Sequence, residues 1–260
     1  MRLAAALFSA TLLVAALPAA AADMAAHQAA YALKLSSTKN GDVSQASGTM
    51  TYEVQDACDG WATRQRLHMI LTNRDGQDVD MLSDYTTWES KDGLRLRFRT
   101  RQTTDQAVTS DIAGEATLSA TGGPGTAHFT SPEESTKDLP AGTLFPMTHT
   151  ETMLAAAVAG KKFFAVPLFD GTSAAGAQDS SIVILKWQDA HAGKWPDLAT
   201  LPSGMFHIAF FDRGPDHPQP DYETTMRYWS NGVADDLAMD FGDFVMGGKL
   251  TEFKLLPHHC

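Results

Sequence analysis

Leu94-Arg95-Leu96-Arg97-Phe98-Arg99 alternates strictly between apolar and basic residues. Successive side chains of a strand leave opposite faces, so this period of two reads as a half-buried β-strand. The same alternation appears at Tyr31, Leu33 and Leu35, and at Met50, Tyr52 and Val54. Across residues 61–71, Trp61, Leu67, Met69 and Leu71 share one face while Arg64, Arg66 and His68 share the other. Glycine-bearing dipeptides punctuate these runs: Asn40-Gly41, Asp59-Gly60, Asp75-Gly76, Asp92-Gly93, Asp170-Gly171 and Asn231-Gly232. Each can supply the positive-φ residues of a tight hairpin. The first four lie 16 to 19 residues apart, which predicts a meander of long antiparallel strands. Further strands are expected at 127–131, 181–188, 205–212, 223–229, 237–241 and 250–255.

One segment breaks the pattern. Thr148-x-x-Glu151 reads as a capping box, followed by Met153, Leu154, Ala157 and Val158 at helical spacing and by Gly160 as a stop. Ala155, Ala156 and Ala159 complete a circumference with almost no polar face, as expected of a buried helix. The fold expected is mainly β, a single domain of antiparallel strands curving around this short buried helix. Residues 121–125 and 212–221 are expected as surface loops.

The chain has 260 residues, 43% of them hydrophobic, with 20 Lys+Arg against 31 Asp+Glu and a net charge of −11. That composition belongs to a folded domain rather than a disordered one. Its acidity argues against nucleic acid as a partner, since such binding is driven by basic charge on phosphate.

Residues 1–22 read as a secretory signal peptide. Met1-Arg2 is a short positive start, residues 3–17 are almost wholly apolar, Pro18 ends the run, and Ala20-Ala21-Ala22 offers a small-residue cleavage site before Asp23. An apolar run of 15 residues is shorter than the roughly 20 that a spanning helix needs. Residues 23–260 are therefore expected as one exported, periplasmic, β-rich domain that is not a transmembrane protein.

Export bears on the two cysteines. In an oxidising compartment Cys58 and Cys260 can pair, closing a loop of 202 positions. The chain-entropy model values such a closure at about 5 kcal/mol. The competing reading is metal ligation by His258, His259 and Cys260, but neighbouring side chains on an extended tail diverge.

No nucleophile elbow, zinc-protease helix, phosphate-binding P-loop or dinucleotide-binding glycine fingerprint occurs. Asp212, Asp216, His217, Asp221 and Glu223 form the densest set of metal-ligand types, in a proline-rich stretch that reads better as a solvated loop. Arg95, Arg97, Arg99 and Arg101 put four guanidinium groups on one strand face, with Arg64 and Arg66 on a neighbouring strand. Two accounts suit that stripe. One is cross-strand pairing with carboxylates such as Asp78, Asp80 and Glu89; the other is an anion- or partner-binding patch for lipid phosphate or an acidic protein. Five Trp and thirteen Phe could fill the interior or line a ligand cavity, and sequence alone does not separate the two.

Several motifs resemble the periplasmic cell-envelope integrity protein B family of Gram-negative bacteria. They are Tyr31-x-Leu33-x-Leu35, then Gly48-x-Met50-x-Tyr52-Glu53-Val54, then Asp56-Ala57-Cys58-Asp59-Gly60-Trp61. Tyr85-Thr86-Thr87-Trp88-Glu89-Ser90, Phe145-Pro146-x-x-His149-Thr150, Phe169-Asp170-Gly171 and the final Cys260 continue the likeness over nearly all of residues 23–260. The chain departs from the pattern before Tyr31, where His27-Gln28-Ala29-Ala30 stands for the family's His-Arg-Ala. The resemblance implies a spiral-like, incomplete barrel of antiparallel strands around helical elements, with Cys58 bridged to Cys260. It implies no catalytic residues and no cofactor. The function expected is a non-catalytic periplasmic protein that maintains envelope integrity by binding another envelope component. The alternative is a carrier that shields a lipid or lipoprotein in an apolar cavity of its curved sheet.

Overall fold

The structure, a computed structural model, describes residues 24–39, 42–214, 219–257 and 260. The expected leader, the Asn40-Gly41 turn, and Asp216, His217, His258 and His259 lie outside these described residues.

Among the described residues, fourteen strands build one antiparallel sheet. The first eight are β1 (His27–Thr38), β2 (Val43–Asp56), β3 (Gly60–Asn73), β4 (Asp78–Ser90), β5 (Arg95–Thr104), β6 (Ala107–Leu118), β7 (Gly125–Ser131) and β8 (Ser135–Leu139). After helix α1 (Pro146–Val158) come β9 (Phe163–Leu168), β10 (Gln178–Gln188), the short helix α2 (Pro196–Ala199), β11 (Ser203–Phe211), β12 (Tyr222–Trp229), β13 (Ala234–Asp240) and β14 (Phe244–Leu255). Strands consecutive in sequence are neighbours in the sheet except β8 and β9, which form its two ends, and the added non-sequential pairing is a seam where β1 lies between β2 and β14. Two meanders are thus joined along β1 and β14, and their free ends are β8 and β9. The sheet does not close into a barrel. The connection between β8 and α1 meets β9 at a single parallel bridge: Leu144 N–H donates to Pro167 O at 2.9 Å and Phe169 N–H to Leu144 O at 3.0 Å.

The expected mainly-β architecture is what the chain forms. Three strands were not anticipated. β6 is poor in large apolar residues, β8 is almost wholly exposed, and β9 carries Pro167 at the sheet edge, where a missing N–H is tolerated. The turn between β5 and β6 also escaped, because Asp105 and Gln106, not a glycine, adopt positive φ (49° and 67°). At residues 57–60 the positive φ belongs to Cys58 (67°), while Gly60 begins β3 under the Trp88 ring. A Cβ on Gly60 would stand 2.5 Å from that ring, so this glycine serves close approach rather than the turn.

Three apolar clusters fill the concave side. One holds Phe98, Phe129, Phe145 and Phe169, whose rings meet edge to face at centroid distances of 5.2 to 6.4 Å. A second packs Met153 and Leu154 of α1 against Ile182, Phe206 and Ile208 of β10 and β11. The third joins Tyr31, Leu33, Met50, Met239 and Met246 along the β1–β14 seam.

The helix is present but starts differently from its sequence reading. It begins at Pro146, two residues ahead of Thr148, and its cap position, Phe145, has no side-chain bond to offer. The cap comes from a distant strand: the Glu89 carboxylate accepts Met147 N–H at 2.7 Å, Thr148 N–H at 2.9 Å and the Thr148 hydroxyl at 2.6 Å. Pro146 has no N–H to satisfy, and His149 N–H already reaches Phe145 O at 2.8 Å. Helix burial is one-sided, since Val158 is 64% exposed while Met153 and Leu154 are buried. Cys58, in the turn between β2 and β3, is disulfide-bonded to Cys260 with their Cα atoms 5.5 Å apart. Cys260 is therefore no metal ligand, and the chain end is tied beside β2 and β3.

Candidate ligand cavity

Alternation along three strands builds the central site. His27, Ala29, Tyr31 and Leu33 of β1 point inward, as do Met50, Tyr52 and Val54 of β2 and Tyr222, Thr224, Met226 and Tyr228 of β12. With α1 laid across the concave side, they leave a cavity of about 290 Å³. Its wall is rich in thioethers and phenols, including Met24, Met50, Met147, Met153, Met226 and Met239 beside Tyr31, Tyr52, Tyr85, Tyr222 and Tyr228. The interior is thus hollow at its middle, which the aromatic content of the sequence left open. Thioether side chains are polarizable and adapt to irregular apolar shapes.

The polar atoms here are mostly committed to the protein. Tyr31 donates its hydroxyl to Ala234 O at 2.7 Å and Tyr85 donates to Asp170 O at 2.9 Å. Burial pushes these phenols, and those of Tyr52, Tyr222 and Tyr228, above their ordinary range, so all are neutral donors. The Ser180 hydroxyl donates to Val166 O at 2.7 Å, so at its 2.9 Å contact it accepts the Nε2–H of His149. Burial drops the His149 pKa to about 4, leaving a neutral ring at physiological pH. His27 is held by Ala25 O at 2.8 Å from its Nδ1, and burial lowers its pKa as well. No lysine or arginine lines the cavity among the described residues. Such a wall favours an apolar, uncharged occupant.

The predicted site residues lie elsewhere. Arg95, Arg97, Arg99 and Arg101 occupy the exposed convex face of β5. Their partners are not those expected from sequence. Arg97 meets Glu115 at 3.4 Å, and Asp111 takes both Arg99 (2.9 Å) and Arg101 (2.8 Å). Both carboxylates belong to β6, the strand absent from the sequence reading, which pairs Arg97 with Glu115 and Arg101 with Asp111. Asp78 instead accepts from Thr72, Asp80 pairs with His68, and Glu89 points inward to cap α1. Arg97 also lies over the Trp88 ring at 5.4 Å. Within the 212–221 loop and its flank, Asp221 accepts Asp212 N–H at 2.6 Å and Glu223 accepts from His207 at 2.9 Å. Among the described residues no group of three or more carboxylate, imidazole or thiol side chains is gathered for a metal. No helix among them is long and apolar enough to cross a membrane.

A sequence model described as EipB-like matches residues 18–257, almost the whole chain. This chain belongs to the EipB-like family. A curated relative is the cell envelope integrity protein EipB of Brucella abortus (strain 2308), 32% identical over 249 residues, which cover 91% of this chain and 86% of that one. A solved structure, a β-barrel-like protein with a domain of unknown function from Brucella abortus, superposes with a TM-score of 0.82 at 29% identity. It covers 91% of this EipB-like chain and all of the other. The overall fold is therefore shared with that β-barrel-like structure, and in this chain it carries the Cys58–Cys260 bridge and the Glu89-capped helix.

Proposed function

We propose that this EipB-like chain maintains cell-envelope integrity from the periplasm, by binding another envelope component rather than by catalysis. Residues 23–260 would act as one unit after removal of a leader at residues 1–22. The observation that carries the reading is family membership over residues 18–257 together with a curated relative named for that role. Two surfaces supply binding capacity. The exposed face of β5 gathers four arginines beside Asp111 and Glu115 of β6 and Asp84 of β4, the last of which also pairs with Arg66. The stripe thus keeps an excess of positive charge in an acidic protein and suits an acidic partner. The cavity suits a small apolar group.

The carrier reading draws support from that cavity. Its volume sets a limit: about 290 Å³ lies at the bottom of the roughly 300–1,000 Å³ range of ligand sites. That space suits one short chain and is too small for the several acyl chains of a lipoprotein.

The test is deletion in the native host followed by challenge with detergents and cell-wall antibiotics. Increased sensitivity, restored by the wild-type chain, is the expected result; unchanged sensitivity overturns the reading.

A further inference from the structure

Among the described residues that line the cavity, two buried polar side-chain atoms have no hydrogen-bond partner, Thr224 Oγ1 and His27 Nε2. A hydroxyl can turn to donate or accept, whereas the imidazole is fixed in role by its other nitrogen. His27 is 1% exposed, and its Nε2 has no hydrogen-bond partner. The state of that nitrogen follows from its neighbour. Nδ1 stands 2.8 Å from Ala25 O, a carbonyl that can only accept, so Nδ1 carries the hydrogen. Nε2 of the neutral ring is therefore a bare lone pair. Burial reinforces neutrality by penalising the imidazolium. A buried acceptor left unmatched is destabilising, and native proteins satisfy the great majority of such groups.

The ring is held between Tyr52 and Phe253, at centroid distances of 5.8 and 6.2 Å, so it is fixed in place before anything binds. Around it the wall is apolar, with Met24, Val54 and Ile208 among its members and neither lysine nor arginine. A carboxylate or phosphate would enter with no cation to meet it, and would face a lone pair. Asp170 is the one carboxylate among the described lining residues, and its Oδ1 is already taken by Thr172 N–H at 2.9 Å and the Thr172 hydroxyl at 2.7 Å. Burial also raises its pKa and disfavours the charged form an ammonium would need.

We propose that the cavity takes an uncharged amphiphile with an apolar body of about ten non-hydrogen atoms and a hydroxyl or amide N–H that donates to His27 Nε2. The size follows from 290 Å³ at roughly 30 Å³ per water-sized unit. This rests on the reading of the cavity as a holding site and adds the chemistry of what it holds. His27 acts as the specificity element, and the methionines supply adaptable apolar contact.

Two isomeric probes isolate the donor. Both n-nonanol and methyl octyl ether have the same formula and similar bulk, but the ether has no hydrogen to give. Calorimetric titration of the full folded chain is expected to show n-nonanol binding about tenfold more tightly than the ether, with nonanoate weaker than both. In His27→Phe the alcohol's advantage disappears while ether affinity is kept. In His27→Gln, which retains an acceptor, the advantage persists. Circular dichroism checks that each variant is folded, and the wild-type ratio decides the matter even if a variant is not. Equal affinity for alcohol and ether overturns the role of His27 while leaving the cavity as a holding site. Uptake of neither probe overturns the holding site as well. Tight binding of nonanoate overturns the requirement for an uncharged ligand.

Discussion

Glu89 of β4 accepts the backbone N–H of Met147 at 2.7 Å, so a strand buried in the sheet supplies the cap of the one long helix. Burial pushes the Glu89 carboxyl up to about 7, against the pull of the three donors it serves. The unfolded carboxyl titrates near 4.5. Between those values the folded chain keeps a proton that the unfolded chain has lost, so this contribution is complete at low pH and declines as pH rises through about 7. His149 works in the opposite sense. Its folded pKa of about 4 lies below the ordinary 6.5, so its contribution is complete above 6.5 and is lost as pH falls. Glu89→Gln removes the Glu89 contribution and leaves those of His149 and the other shifted groups, which cancel in the comparison with wild type. Denaturant titration should show the variant gaining up to ~3 kcal/mol relative to wild type between about pH 4.5 and 7. A constant difference across that range would show that Glu89 does not titrate there.

The disulfide is the second lever. Cys58→Ala or Cys260→Ala opens a loop with a sequence separation of 202. The loss expected under oxidising conditions is up to about 5 kcal/mol, seen as a lower melting temperature. Under reducing conditions mutant and wild type should melt together. Equal melting in both conditions would deny the bridge a stabilising role.

Two glycines of similar backbone geometry should answer alanine differently. Gly76 (φ 79°) has open space where a Cβ would go, so Gly76→Ala costs about 1 kcal/mol of backbone strain. Gly171 (φ 76°) would drive its Cβ to 2.3 Å from the Phe98 ring, inside the phenylalanine cluster. Gly171→Ala should therefore cost several times as much, as overpacking adds to strain. Chemical denaturation of the two variants side by side checks the ranking.

The arginine stripe should matter little to folding. Arg97 and Glu115 are both about two-thirds exposed, and exposed pairs of this kind are worth 0–1 kcal/mol. Replacing Arg95 and Arg97 by serine should leave the melting temperature nearly unchanged while weakening capture of an acidic envelope partner. A large loss of stability without loss of capture would assign the stripe a structural role instead.

What was legible in the chain was what local chemistry controls. Period-two runs such as 94–99 marked β5, because one face of that strand is buried and the other wet. The cysteine pair was readable because both of its members are the only ones available. Where partners are distant, the reading failed. Asp111 and Glu115 sit on a strand with few large apolar residues, so the arginines' true neighbours were invisible. Asp105 and Gln106 turn the chain without glycine. Thr148 resembled a cap because of its spacing to Glu151, yet a carboxylate from β4 took that place from 59 residues away. The cavity had no signature at all: His27, Met50 and Tyr228 are ordinary inward residues, and only sheet curvature leaves room among them.

The pairing of β1 with β14 has a further consequence. The earliest strand to emerge has neighbours on both sides, and one of them is the last to be made. Each meander can zip up by local hairpins, but the join between them waits for the final strand to arrive. A polypeptide interrupted upstream of residue 244 would carry two half-shells without the strand that hydrogen-bonds them into one sheet, and the edges of β1 and β13 would stay open to proteases and chaperones. Topology thus makes completion of the chain a condition for covering those edges, and quality control could read that directly.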